Sequence, residues 1–66
     1  MNAEKKSLIE AKYSELESLT KHMDLPDFRR TSVQWLVRNM KVKNGSHQNF
    51  NKAMEVVVEL SRMGVR

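Results

Sequence analysis

The sequence predicts an all-α fold, a small three-helix bundle that homodimerisation could complete. Apolar residues recur at a spacing of three to four in three separate segments, which is the period of an amphipathic helix. Two clusters of helix-breaking residues, at 24–27 and 43–46, separate these segments. We therefore expect one helical domain over residues 1–66, with helices at about 3–22, 26–42 and 46–63.

The first helix carries a narrow apolar seam on an otherwise polar surface. The seam is formed by Ile9, Leu16, Leu19 and Met23, and such a seam usually packs on its own domain. Pairing with a second copy of the helix is the alternative. The seam spans fewer than the three or four heptads that indicate a coiled coil.

The second helix has two start signals. Pro26 cannot continue the preceding helix, yet its fixed φ suits the first turn of a new one. Further on, Thr31 as N-cap and Gln34 three residues later fit a capping box. The helix is therefore expected to begin near Pro26 or near Ser32. Its apolar face is broad and consists of Phe28, Val33, Leu36, Val37 and Met40, with Trp35 on a second stripe.

The third helix follows the turn dipeptide Asn44-Gly45, whose residues both tolerate a positive φ. Ser46 is the predicted N-cap, and Gly64 is the predicted terminator. Three valines at 56–58 favour a strand by themselves, but the surrounding period favours a helix. Apolar residues spread around much of this helix, so it is expected to be central or shared with a second subunit.

Charge is segregated along the chain. Between Asp27 and Glu55 there is no acidic residue, whereas six lysines and arginines lie in that interval. Residues 1–27 carry about −2, residues 28–54 about +6 and residues 55–66 about zero, which accounts for the net charge of +4. A basic segment of this kind attracts anionic partners and accelerates encounter with them. It does not distinguish an acidic protein from a nucleic acid or a lipid headgroup.

An acidic protein partner is the interpretation we favour. Aromatic residues and arginine dominate binding hot spots, and Trp35 and Phe28 lie among the basic residues as candidate anchors. The opposing interpretation is that Trp35 is a core residue, as a lone tryptophan in a small domain usually is. The candidate partner-binding residues are Phe28, Arg29, Arg30, Trp35, Arg38, Lys41 and Lys43.

Nucleic-acid binding is the alternative. Arginine and lysine neutralise phosphates, while asparagine and glutamine can read base edges. A glycine-containing turn between two helices invites a helix-turn-helix interpretation, although the link is longer than the usual three or four residues. The polar residues after the turn serve equally well as caps and turn formers. The candidate nucleic-acid-binding residues are Arg29, Arg30, Arg38, Lys41, Lys43, His47, Gln48, Asn49 and Lys52.

No motif supports catalysis or metal binding. Cysteine is absent, and His22 and His47 are the only histidines, without the thiols or spaced carboxylates that a metal site requires. No phosphate-binding loop or nucleophile motif occurs. We therefore expect a non-enzymatic protein that uses no cofactor.

The remaining expectations concern location, origin and assembly. No segment approaches the roughly 20 apolar residues of a membrane span, and the lack of cysteine fits a cytoplasmic location. Short length, lysine, asparagine and methionine usage and the lack of cysteine are typical of small phage or mobile-element proteins. We expect an accessory or regulatory binding protein that forms homodimers through surplus apolar surface on its second and third helices.

Overall fold

A computed structural model describes residues 3–66 and contains three helices and no strand within that range. Helix α1 spans Ala3–Leu19, α2 spans Val33–Asn44 and α3 spans Phe50–Arg62. The predicted all-α, three-helix fold is confirmed; residues 1 and 2 of the expected domain lie outside the described residues. No helix among the described residues combines the length and the apolarity that crossing a membrane requires.

Helix α3 lies at the centre of the fold. It packs against both α1 and α2, whereas α1 and α2 make no close backbone contact with each other in the described part of the chain. Four buried residues of α3 recur at i, i+3, i+4 and i+7 and form one stripe, so the helical period prevails over the strand propensity of the valines. The buried core consists of Leu16 from α1, Val33, Leu36 and Met40 from α2, and Ala53, Val56, Val57 and Leu60 from α3.

Helix α1 contributes least to this core. Among its described residues Leu16 is the one that is fully buried, while Ile9, Tyr13 and Leu19 pack partly against the core. The predicted seam therefore packs on its own domain. Leu8, one helical position outside the seam, stays 56% exposed.

An ion pair between Lys12 and Glu59 also links α1 to α3. The hydrogen bond to Glu59 raises the pKa of Lys12 above its usual value. Because the pKa is raised in the folded state, this stabilisation is complete below the unfolded pKa and is lost as the pH rises through the folded one. Glu59 is half-exposed, so solvent screens the pair and its contribution is small.

The expected start of the second helix at residue 26 is wrong. Residues 27–31 form a turn instead, in which the Arg30 N–H donates to the Asp27 carbonyl oxygen at 3.0 Å. The Thr31 hydroxyl donates to the same carbonyl oxygen at 2.9 Å. A local side-chain bond of this kind competes with helix formation, and it closes the turn before α2 begins.

Ser32 caps α2, so the prediction that Thr31 is the N-cap is also wrong. The Ser32 backbone is extended, with φ −64° and ψ 143°, and its hydroxyl accepts a 3.0 Å hydrogen bond from the Trp35 N–H. Thr31 cannot take this role because its hydroxyl is bonded within the preceding turn. The later of the two start signals is therefore the one that the chain uses.

Helices α1 and α3 are both shorter than predicted. Helix α1 ends at Leu19, where the buried Thr20 hydroxyl bonds back to the carbonyl four residues earlier at 2.7 Å. Helix α3 begins well after Ser46, so the prediction that Ser46 is its N-cap is wrong. Asn49 holds the N-cap position, but its side-chain amide donates to the Leu19 carbonyl at 3.3 Å instead of capping α3. The Asn49 side chain thus makes a hydrogen bond to a distant residue in place of a capping bond to its own helix.

Glycine acts differently after α2 and after α3. Helix α2 runs through Asn44, and Gly45 has a φ of −59°, so this turn does not use the positive φ that glycine tolerates. Gly64 has a φ of 89°, as predicted for a terminator. Its N–H donates to the Ser61 carbonyl at 3.0 Å and that of Val65 donates to the Leu60 carbonyl at 3.1 Å, which is a Schellman motif.

Replacing Leu60 by alanine should reduce the free energy of unfolding by about 2–5 kcal/mol, because the side chain is fully buried and its loss leaves a cavity. Leu8→Ala is the matched control, since the same change at an exposed position should cost only about 0.5 kcal/mol. Urea unfolding followed by circular dichroism measures both variants. Equal losses would contradict the assignment of the core.

Candidate functional site

The predicted anchor Phe28 packs within the chain. Its ring is half-buried and stacks on the ring of Tyr13, with centroids 6.1 Å apart and an interplanar angle of 9°. This contact lays the connection between α1 and α2 against α1. Sequence reasoning did not assign a role to Tyr13, because the contact joins residues that are distant in the chain.

Arg29 also makes its contacts with side chains of its own chain, at the surface. Its Nε donates to Glu17 at 2.6 Å, and its terminal nitrogen lies 3.3 Å from Glu10. The guanidinium carbon sits 5.2 Å from the centre of the Tyr13 ring, at a distance typical of a cation–π contact. The hydrogen bond to Glu17 and then that to Glu10 raise the pKa of Arg29 further above its usual value. Arg29 therefore fastens the connection to α1, together with Phe28.

Two further predicted basic residues have acidic neighbours at the surface. Arg30 lies 3.7 Å from Asp27, and Lys43 lies 3.4 Å from Asp24. All four side chains are more than half exposed. Exposed pairs of this kind contribute little and exchange readily, so both cations remain accessible to another anion.

The other predicted binding residues of α2 are exposed and adjoin Val42, which was not among the candidates. Trp35 is 42% exposed and Val42 is 78% exposed, so Trp35 is not a core residue. Arg38 lies three residues after Trp35 and four before Val42, which places the three side chains next to one another on the helix. Lys41 continues the basic edge. We call Trp35, Arg38, Lys41 and Val42 the outer face of α2.

No ion pair among residues 3–66 neutralises the positive charge of this face. Neither Arg38 nor Lys41 forms an ion pair with any residue in 3–66. Both are exposed. The outer face therefore presents an indole ring and an isopropyl group beside two cations that have no ion-pair partner in the described part of the chain.

A groove runs along one side of this face, between α2 and the segment that follows α1. Its volume is about 270 Å³ and most of its lining is apolar. Trp35, Asn39 and Val42 contribute from α2, while Leu25 and Pro26 contribute from the connection. We call this the Trp35 groove; its full lining is Asp24, Leu25, Pro26, Trp35, Asn39, Val42, Lys43 and Asn44.

Asn44 builds the groove by holding its two sides together. Its side-chain carbonyl accepts a 2.9 Å hydrogen bond from the Asp24 N–H, and its amide nitrogen donates to the Asp24 carbonyl at 3.1 Å. The same nitrogen lies 3.3 Å from the Met40 carbonyl. The side chain is buried, with 5% of its surface exposed. The sequence assigned Asn44 to a turn, because a bond to the main chain of a distant residue leaves no pattern in the sequence.

Several residues of the nucleic-acid alternative make contacts within the fold. Asn49 bonds to α1 as described, and its N–H donates to Nδ1 of the half-buried His47 at 3.0 Å, so both residues serve the turn. Gln48 is exposed. Lys52 lies on α3 beside Glu55 and Glu59, where the local charge is mixed.

Asn44→Ala should reduce the free energy of unfolding by about 1–3 kcal/mol, because both backbone groups of Asp24 lose their partner in a partly buried setting. Asn51→Ala is the matched control, since Asn51 is exposed on α3 and alanine is the better helix former. Thermal unfolding measures both changes. A loss as small as that of the control would show that the Asn44 bonds do not hold the connection.

Among residues 3–66 there is no group of three or more histidine, cysteine or carboxylate side chains placed to hold a metal ion.

Comparison with known proteins adds no family to this description. No protein-family model, no curated protein and no solved structure matches the chain.

Proposed function

We propose that this protein is a small, non-enzymatic accessory or regulatory protein that binds an acidic protein partner through the outer face of α2. One observation carries the proposal: an exposed tryptophan adjoins cations that have no partner within the described chain. Tryptophan and arginine are the residues most enriched among binding hot spots.

The arrangement suits a protein surface in two ways. Burying the exposed parts of Trp35 and Val42 would remove apolar surface from water, which supplies affinity. Arg38 and Lys41 would lie at the rim, where charges mainly steer encounter and select the partner. The interval without acidic residues between Asp27 and Glu55 adds long-range attraction for an acidic surface.

A nucleic acid is the second candidate because the same cations could contact phosphates. The structure favours it less. A phosphate-binding surface would draw on Lys52 as well as Arg38, yet Lys52 lies on α3 beside Glu55 and Glu59, where the local charge is mixed. His47 and Asn49, the candidate base-reading residues, are occupied in the turn before α3.

A homodimer would compete for part of the same apolar surface. The apolar stripe of α3 is buried inside the chain, and the exposed large apolar side chains of the described residues are Leu8 on α1 and Trp35, Val37 and Val42 on α2. Sedimentation equilibrium tests this directly. A monomer at high concentration leaves the outer face free for a different partner.

Truncation of Trp35 should abolish or strongly weaken partner binding. The partner is isolated by pull-down from a nuclease-treated lysate of the source cells and then titrated by calorimetry. For Trp35→Ala we expect a loss of at least about 2 kcal/mol, or roughly 30-fold in Kd, as for a central aromatic anchor. Arg38→Glu/Lys41→Glu should slow association and alter its salt dependence.

Lys52→Glu is the control that reverses a single charge on another helix, to be compared with Arg38→Glu alone, and it should bind the protein partner as the wild type does. A random-sequence DNA duplex provides the competing test. Binding to that duplex that falls steeply with salt, weakens with Lys52→Glu and tolerates Trp35→Ala would overturn the proposal in favour of the nucleic-acid alternative.

A further inference from the structure

We propose that the Trp35 groove receives one bulky apolar side chain from an acidic segment of the partner. This inference rests on the proposed function, and it specifies the chemistry of the bound segment: a single aromatic or branched aliphatic residue with aspartate or glutamate on either side.

The size of the groove limits what can enter it. A cavity of about 150 Å³ holds a benzene ring, whereas sites for drug-sized ligands begin at about 300 Å³. The groove measures about 270 Å³ and is open along one side. It therefore suits one large side chain attached to a chain that passes outside.

The lining specifies an apolar occupant. Leu25 and Pro26 form one wall, and Trp35 and Val42 form the other. The polar groups nearest the two apolar walls are already engaged, since the main chain of Asp24 is bonded to Asn44 and the Asn39 amide nitrogen donates to the Trp35 carbonyl at 2.9 Å; the charged groups of Asp24 and Lys43 lie at the exposed edge. A polar side chain entering the groove would lose its hydration and gain few hydrogen bonds.

The charges around the groove specify acidic neighbours for that occupant. Arg38 lies about one helical turn from both Trp35 and Val42, on the side away from the connection, and has no ion pair among the described residues. Lys43 lines the groove itself, and its contact with Asp24 is 3.4 Å long and largely exposed. A carboxylate of the partner could replace Asp24 beside Lys43, while a second one binds Arg38.

The groove exists before any partner binds. Asn44 joins the connection to the end of α2, and Pro26 restricts the backbone of the opposite wall. A preformed site avoids the entropic cost of ordering its walls on binding. A short peptide should therefore suffice to occupy it.

Three synthetic decapeptides test the inference through the fluorescence of Trp35, which is the only tryptophan in the chain. The first carries a central phenylalanine flanked by four carboxylates, the second has alanine in place of phenylalanine, and the third has amides in place of the carboxylates. We expect the first peptide to shift the Trp35 emission to shorter wavelength. It should bind about 10-fold or more tightly than the alanine peptide, and its advantage over the amide peptide should shrink as salt is added.

Variants of the protein locate the site. Val42→Asp puts a carboxylate on the groove wall, and Arg38→Glu reverses the neighbouring charge; each should weaken the phenylalanine peptide about 10-fold or more. Lys52→Glu should leave its Kd unchanged. Circular dichroism checks that each variant is folded. If a variant does not fold, the peptide series on the wild-type protein still decides the question.

The outcomes separate this inference from the proposed function. Equal affinity for the phenylalanine and alanine peptides would overturn the inference. If a protein partner nevertheless binds in a manner that depends on Trp35, the proposed function stands and the groove is not where the partner inserts a side chain. If the peptides leave the Trp35 emission unchanged and no partner requires Trp35 for binding, both the inference and the proposed function are contradicted.

Discussion

Burial of one stripe of α3 between the other two helices is the interaction on which the rest of this structure depends. Since α1 and α2 do not approach each other closely in the described chain, each is held in place chiefly by α3. The stripe is completed by Val65, which follows the Gly64 turn and packs back against the core. A domain of this size buries a limited apolar area, so a defect in the stripe would loosen both partner helices together.

Polar side chains hold the connection between α1 and α2 in place, where the small apolar core does not reach. Asn44 and Asn49 bond to main-chain groups of the segment around the end of α1, 20 and 30 residues away. Arg29 and Phe28 attach the same connection to the outer side of α1. No buried side-chain polar atom in the described residues lacks a hydrogen-bond partner, which satisfies the main condition for polar groups to stabilise an interior. The connection is thus fixed without secondary structure of its own, and it can serve as the wall of a groove.

The basic middle of the chain is divided by the fold into two sets with different roles. Arg29 is fastened between two carboxylates and an aromatic ring, whereas Arg38 and Lys41 point away from the core beside Trp35. Net charge alone would treat all of them alike. The distinction bears on where an anionic partner can bind, because a cation that lies between two carboxylates of its own chain presents less net positive charge than a cation without such neighbours.

The sequence by itself determined the number of helices, the buried Val33, Leu36 and Met40 of α2 and the excess of positive charge in the middle, because periodicity, helix-breaking residues and charge are local properties. It wrongly added Phe28, which precedes α2, and the exposed Val37 to the same apolar face. It also located the Gly64 terminator, where only backbone conformation is at stake. The helix ends near Thr31, Ser46 and Asn44 were misassigned. The side chains of Asn44 and Asn49 bond to main-chain groups that the chain brings near only on folding, whereas the Thr31 hydroxyl bonds within a local turn before α2. Tertiary structure alone decided that Phe28 packs inward and Trp35 outward, since two aromatic residues of similar apolarity are distinguished by which neighbours α1 and α3 place beside them.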